Sequence, residues 1–193
     1  MRSAVKSDEL TIVILAGGQA TRFPGKLEAT LNGAPLLAHV YRNLRGLSPT
    51  IVAGAGTFSR ELDALLECPI VVDRWPGRGP VAALLSACLH VRTPRVFAVA
   101  GDTPRVDARV VEALMDAWQD GDEAVVPEHD GVIEPLAALY DRSALDREAW
   151  NILEGRASMH ALIDGLQTRR VSLDAAYFTN VNTASDLAAE GAS

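Results

Sequence analysis

Short, almost unbroken apolar runs recur along the chain, separated by stretches in which apolar positions return every three or four residues. The runs are TIVILA (11–16), TIVAGA (50–55), PIVVD (69–73), RVFAVA (95–100) and EAVVP (123–127). Lacking polar alternation, they predict strands covered on both faces, as in a parallel sheet. Leu36, Leu37, Val40 and Leu44 mark one face of a helix that Pro35 can start in its first turn. Residues 57–67, 80–91 and 107–118 carry three more helical patterns, the last with Asp107 as its N-cap. Alternation of strand and helix predicts an α/β fold with right-handed crossovers.

The C-terminal third is less regular. EPLAALY (134–140) predicts an edge or antiparallel strand, SMHALIDGL (158–166) a helix, and RRVSL (169–173) and YFTNV (177–181) extended chain. TASDLAAE (183–190) closes as a helix behind an N-cap at Thr183. Without a repeat, a low-complexity tract or a linker, residues 1–193 read as one domain.

Composition narrows the function. A formal net charge of −7 over 193 residues argues against a broad basic surface for nucleic acid or anionic lipid. Any phosphate must therefore be held by local donors. Cys68 and Cys88 lie in apolar segments and read as buried, reduced thiols with no zinc spacing. The N-terminal residues lack the apolar stretch of a signal peptide, and no run has the length of a transmembrane helix; the expected compartment is the cytoplasm.

The chemistry gathers in loops after strands. LAGGQATRFPGKLEATLNG (15–33) follows the first apolar run and carries Gly17, Gly18, Arg22 and Lys26. Glycines let backbone N–H groups approach an anion, Arg22 can fork onto phosphate oxygens, and Lys26 supplies a compact charge. The competing reading is a surface turn with two solvated cations. A P-loop is rejected, because Ala20 replaces its first glycine and Leu27 its metal-binding hydroxyl. GAGTFS (54–59) with Asp73 imitates a dinucleotide fingerprint, but Ser59 stands where a third Gly or Ala belongs, so an NAD-dependent oxidoreductase is disfavoured.

VFAVAGDTPRVD ends a strand at Asp102, where ligands of parallel sheets collect. A carboxylate there can hold Mg²⁺, and an Asx-type turn before Pro104 is compatible with that role. Asp73 closes another strand and either accepts hydrogen bonds from a base or sugar or is a plain loop acid. Further on stand Arg156, Ser158, Asn180 and Asn182; the asparagines suit a ligand rich in hydrogen bonds, or simply form turns. His39, His90, His129 and His160 show no metal or triad spacing and read as structural.

Taken together, LAGGQATRFPGK, LNGAPLLAHV, GPVAALLSA, GDTPRV and YFTNVNTASDL resemble, in that order, the molybdenum cofactor guanylyltransferases, over residues 11 to about 187. The resemblance implies a Rossmann-like three-layer α/β/α sandwich with a mostly parallel sheet. It implies Mg²⁺-dependent transfer of GMP from GTP to the terminal phosphate of molybdopterin or the molybdenum cofactor, releasing pyrophosphate. Molybdoenzymes or their chaperones would be further partners, with no nucleic acid and no membrane.

By the same resemblance, Leu15, Ala16, Gly17 and Gly18 line the nucleotide site, and Lys26 meets the phosphates. Asp73 contacts nucleotide, and Asp102 contacts both nucleotide and metal. Arg22, Lys26 and Asp102 form the catalytic set. Asn180 and Asn182, with Arg156, serve the acceptor. Residues of about 11–110 are the expected nucleotide part and about 111–193 the acceptor part. The alternatives are a cytidylyltransferase acting on molybdopterin, a sugar-phosphate nucleotidyltransferase, and a nucleotide-binding module without catalysis.

Overall fold

The computed structural model describes residues 8–17, 25–54, 56–154 and 158–192, with the main chain alone at 149–153. β1 (Leu10–Leu15) is buried along its whole length, as an apolar run without alternation requires. A small hairpin, β2 (Thr30–Leu31) and β3 (Ala34–Pro35), leads into α1 (Leu36–Leu44). There follow β4 (Thr50–Gly54), α2 (Arg60–Leu65), β5 (Ile70–Val72), α3 (Pro80–Cys88), β6 (Arg95–Ala100) and α4 (Ala108–Ala117). The C-terminal part contains β7 (Ala124–His129), β8 (Val132–Ile133), β9 (Ala137–Asp141), α5 (Arg142–Glu154), α6 (Met159–Asp164), β10 (Thr168–Ser172) and α7 (Ala184–Gly191).

The main sheet runs β10-β7-β9-β6-β1-β4-β5, with β8 paired to β7. β1 lies at its centre, parallel to β4 and β6, and β9 is antiparallel to both β6 and β7. In register, Leu15 faces Ala53 on one side and Ala100 on the other. The carboxyl ends of β1, β4 and β6 therefore share one rim of the sheet.

Side chains of β1 alternate between two cores. Val13 and Leu15 pack with α3, α5 and α6, while Leu10, Ile12 and Ile14 pack with α1, α2 and α4. Helices cover both faces of a mostly parallel sheet, which is the anticipated three-layer α/β/α sandwich. Each fully buried Leu or Ile contributes on the order of 1.5–3 kcal/mol to this arrangement. α3 is buried from Val81 to Cys88, in keeping with a sequence that is apolar on all sides.

Several expectations shift. The helix expected over 57–67 shortens to α2, which Ser59 caps by accepting the Leu62 N–H at 3.3 Å. Pro35 ends β3 at the N-cap position of α1 instead of occupying its first turn. Residues 134–140 give a strand only from Ala137 onward, antiparallel as expected but inside the sheet. The extended segment expected at 177–181 is instead a 3₁₀ turn at Ala175–Phe178. Asp174 accepts the Ala176 N–H at 2.9 Å, and this local bond outcompetes the strand. Asp107 and Thr183 do cap α4 and α7. Both cysteines are free, Cys88 buried and Cys68 half-buried. Among the described residues no helix is long and apolar enough to cross a membrane.

Candidate active site

The shared rim is drawn together by main-chain bonds. The Ala16 N–H donates to the Ala53 carbonyl at 2.7 Å, Gly101 N–H to Leu15 at 2.9 Å, and Ala100 N–H to Leu136 at 2.9 Å. Two glycines permit this approach. A Cβ on Gly54 would stand 2.7 Å from the Ala16 carbonyl oxygen, and one on Gly101 would meet Leu37 Cδ1 at 2.9 Å. Without side chains there, the backbone after β1 passes directly over β4 and β6.

Onto this rim the sequence delivers three polar side chains. Lys26 opens a short 3₁₀ turn, Lys26–Glu28, preceded by Gly25 in the left-handed region. Asp102 follows β6 by one residue beyond Gly101, and its main-chain carbonyl accepts the Val181 N–H at 3.0 Å. That bond pins the segment carrying Asn180 and Asn182 beside the carboxylate. The Lys26 ammonium donates to Asp102 Oδ2 and, at 3.2 Å, to Asn182 Oδ1. Lys26 and Asp102 side chains are only 17% and 16% exposed, so this pair is largely shielded from water.

Asn182 is itself held by α7. Asp186 Oδ2 accepts the N–H groups of Asn182 at 2.9 Å and Thr183 at 2.8 Å, while Thr183 Oγ1 accepts the Asp186 N–H at 3.1 Å. This is a capping box, and it couples the start of α7 to the orientation of Asn182. The Asn182 N–H, then the Thr183 side chain, hold the Asp186 carboxyl below the usual range.

Leu15, Ala16, Gly17, Lys26, Asp102, Asn180 and Asn182 all line one cleft of about 320 Å³. Seven residues singled out from sequence thus converge on one space. Gly18, Arg22 and Arg156 lie outside the described residues. Asp73 does not line this cleft: it follows β5, and its Oδ1 accepts the Trp75 N–H at 2.9 Å and the Ser86 hydroxyl at 3.2 Å. Ser158 caps α6 by accepting the Ala161 N–H at 3.1 Å. Gly101 and the apolar Leu27, Pro80, Ala100 and Leu136 complete the walls; the apolar four were not anticipated, since such residues announce no chemistry. A second cavity, about 440 Å³, shares Pro80, Leu136 and Asn180 with the first.

The donor set fits a particular kind of cation. Among the described residues no cluster of three or more His, Cys, Asp or Glu could enclose a metal. A single carboxylate in an open cleft instead suits a hard divalent ion that takes its other ligands from phosphates and water. Asp102 already draws one cation, the Lys26 ammonium, and a metal ion on its carboxylate would take the place of that ammonium.

The chain is similar to known proteins over most of its length. The profile of the MobA-like NTP transferase domain matches residues 12–171. Over 186 residues the chain is 30% identical to the molybdenum cofactor guanylyltransferase of Vibrio cholerae, covering 93% of this chain and 90% of that one. It is 28% identical over 191 residues to the molybdenum cofactor guanylyltransferase of Desulfosudis oleivorans, covering 93% of each. Among solved structures, it is similar to molybdopterin-guanine dinucleotide biosynthesis protein A of Archaeoglobus fulgidus. That superposition has a TM-score of 0.78 at 25% identity and covers 94% of this chain and 97% of the other.

Proposed function

The chain belongs to the MobA-like NTP transferase family, and from that premise we propose that it transfers GMP from GTP to the terminal phosphate of molybdopterin or its molybdenum-loaded form. The observation that carries this reading is Lys26 held between Asp102 and Asn182 at the rim where the loop after β1 begins. One cation there touches both the acid assigned to the nucleotide and an amide assigned to the acceptor.

In this reading the backbone at Leu15, Ala16, Gly17 and Gly18 cradles the triphosphate, and Arg22 forks onto its oxygens. Asp102 holds Mg²⁺, which when bound supplies positive charge to the gathered phosphate oxygens. Lys26 leaves Asp102 and donates to the oxygens of the departing pyrophosphate. Asn180, Asn182 and Arg156 orient the acceptor. Asp73 shapes the loop running from β5 to Pro80 on the cleft wall. One domain serves both substrates, with about 11–110 on the nucleotide side and about 111–193 on the acceptor side.

The chemistry asks little of proton transfer. An acceptor phosphate oxygen, already anionic, attacks the α-phosphorus in line. As its bond to phosphorus forms, the bond from the α-phosphorus to the bridging oxygen breaks, and pyrophosphate leaves with the electron pair. The difficulty is electrostatic, because one polyanion must approach another, and fixed cationic donors answer it.

The test is to incubate the protein with Mg²⁺, molybdopterin and each nucleoside triphosphate in turn and to measure pyrophosphate. Release with GTP alone is the expected result. Release with CTP instead would transfer the reading to cytidylyl transfer, and no release with any nucleotide would overturn catalysis.

A further inference from the structure

The second cavity holds a feature that the transfer chemistry does not use. Glu134 lies among its lining residues, between β8 and β9, with its main chain fixed on both sides. Its N–H donates to the Pro127 carbonyl at 2.9 Å, and its carbonyl accepts the Ala137 N–H at 3.1 Å. Glu134 Oε1 lies 2.9 Å from His129 Nε2, and the side chain is 21% exposed. His129 is stacked on Phe178, with ring centroids 5.5 Å apart and planes 7° from parallel. Phe178 also lines the cavity, together with the apolar Ile133, Leu136 and Met159. Among the described residues Glu134 Oε2 has no hydrogen-bond partner, whereas Oε1 is anchored.

We propose that Glu134 is the specificity-determining residue for the acceptor, accepting hydrogen bonds from the 2-amino and N3–H groups of its pterin ring. A pterin presents these two donors side by side on its pyrimidine edge, and a carboxylate presents two acceptor oxygens at matching spacing. Oε1 retains a lone pair after bonding His129, so both oxygens can take part. The apolar walls suit the flat fused ring. Asn180, shared by both cavities, marks where the acceptor's phosphate side passes toward Lys26 and Asn182. His129 is a positioning residue in this scheme, fixing the carboxylate from behind. The inference rests on the acceptor being a pterin phosphate, as proposed above.

The experiment uses the full-length protein with two fluorescent probes, 6-hydroxymethylpterin and its 2-oxo counterpart, 6-hydroxymethyllumazine. The second replaces the 2-amino donor by an acceptor that faces the carboxylate. A site built to hydrogen-bond a donor rejects an analogue lacking it strongly. Wild type is expected to bind the pterin at least about tenfold more tightly than the lumazine. Glu134→Gln is expected to bring the two within about threefold of each other, while Mg²⁺–GTP affinity stays within about twofold of wild type.

Equal binding of both probes by wild type overturns the inference whether or not the variant folds. So does unchanged discrimination in a folded Glu134→Gln protein. If either result accompanies pyrophosphate release from GTP and molybdopterin, the transfer reading stands and only the role of Glu134 falls. Failure of wild type to bind pterin, with no pyrophosphate released, removes both.

Discussion

Replacing Lys26 by alanine separates two energies that the structure couples. In the ligand-free protein the loss leaves Asp102 without its cation, at a site where both side chains are less than one-fifth exposed. An exposed pair is worth about 0–1 kcal/mol, and breaking a fully buried one costs about 3–5. The partial shielding here places the loss near 2 kcal/mol, which lowers the melting temperature of a chain this size by about 4–8 °C. Removing a donor that meets charge developing on the leaving group costs about 3–4 kcal/mol in the transition state, or a factor of roughly 10²–10³ in turnover. Catalysis therefore suffers more than folding. Steady-state pyrophosphate release at saturating Mg²⁺–GTP and acceptor, read beside a thermal melt, measures both. Lys26→Arg keeps the charge, but its planar fork does not reproduce a compact ammonium seated between Asp102 and Asn182, so partial activity is expected. A Lys26→Ala protein that melts lower yet turns over within threefold of wild type would show that the ammonium does not meet the leaving group.

Three other outcomes follow from the same coordinates. Gly54→Ala places a methyl 2.7 Å from the Ala16 carbonyl oxygen, which can yield only by backbone movement; overpacking of this kind costs about 1–3 kcal/mol, and both the melting temperature and Mg²⁺–GTP affinity should fall in calorimetry. Glu123 is held below its ordinary value of 4.5, first by the Arg147 guanidinium at 2.9 Å and then by the Gln167 N–H. Its ionised form favours the fold, so its contribution is complete above that value and is lost as pH falls through the lower folded one. Melting temperatures from pH 7 to 3 should show the gap between wild type and Glu123→Gln closing in acid, and a gap that widens would contradict the assignment. Burial pushes the Cys68 thiol up to about 11 and, as the largest cause, the Cys88 thiol up to about 12; a disulfide reagent at neutral pH should label neither in the native protein and both in denaturant.

Much of this architecture was legible because it rests on simple patterns. β1, β4 and β6 read as strands because their apolar runs have no polar face to show water. Asp107 and Thr183 read as caps because an oxygen-bearing side chain stood directly before each apolar-periodic stretch. α5 was missed: Arg142, Ser143, Asp146, Arg147 and Glu148 crowd its start, and its burial near that end falls on Ala144 and Leu145. The two-residue strands β2, β3 and β8 are too short to show a period.

The site divides in the same way. Lys26 stood out as a charge in a glycine-rich loop and Asp102 as one at the end of a strand, and the structure joins them. The contact between Lys26 and Asn182 spans 156 positions and depends on Val181 bonding the Asp102 carbonyl, which no local pattern encodes. Glu134 read only as the edge of a weak strand; its place beside His129 and Phe178 requires the folded sheet.

In the proposed reaction the loop after β1, Lys26 and Asp102 act together on one metal-bound triphosphate. A crystal structure with Mn²⁺ and a non-hydrolysable GTP analogue, phased on the anomalous signal of the ion, tests it most directly. The expected result is Mn²⁺ on the Asp102 carboxylate, the triphosphate against the backbone of residues 15–17, and the Lys26 ammonium moved from Asp102 onto a phosphate oxygen. A nucleotide bound elsewhere on the sheet, with Lys26 still paired to Asp102, would contradict it.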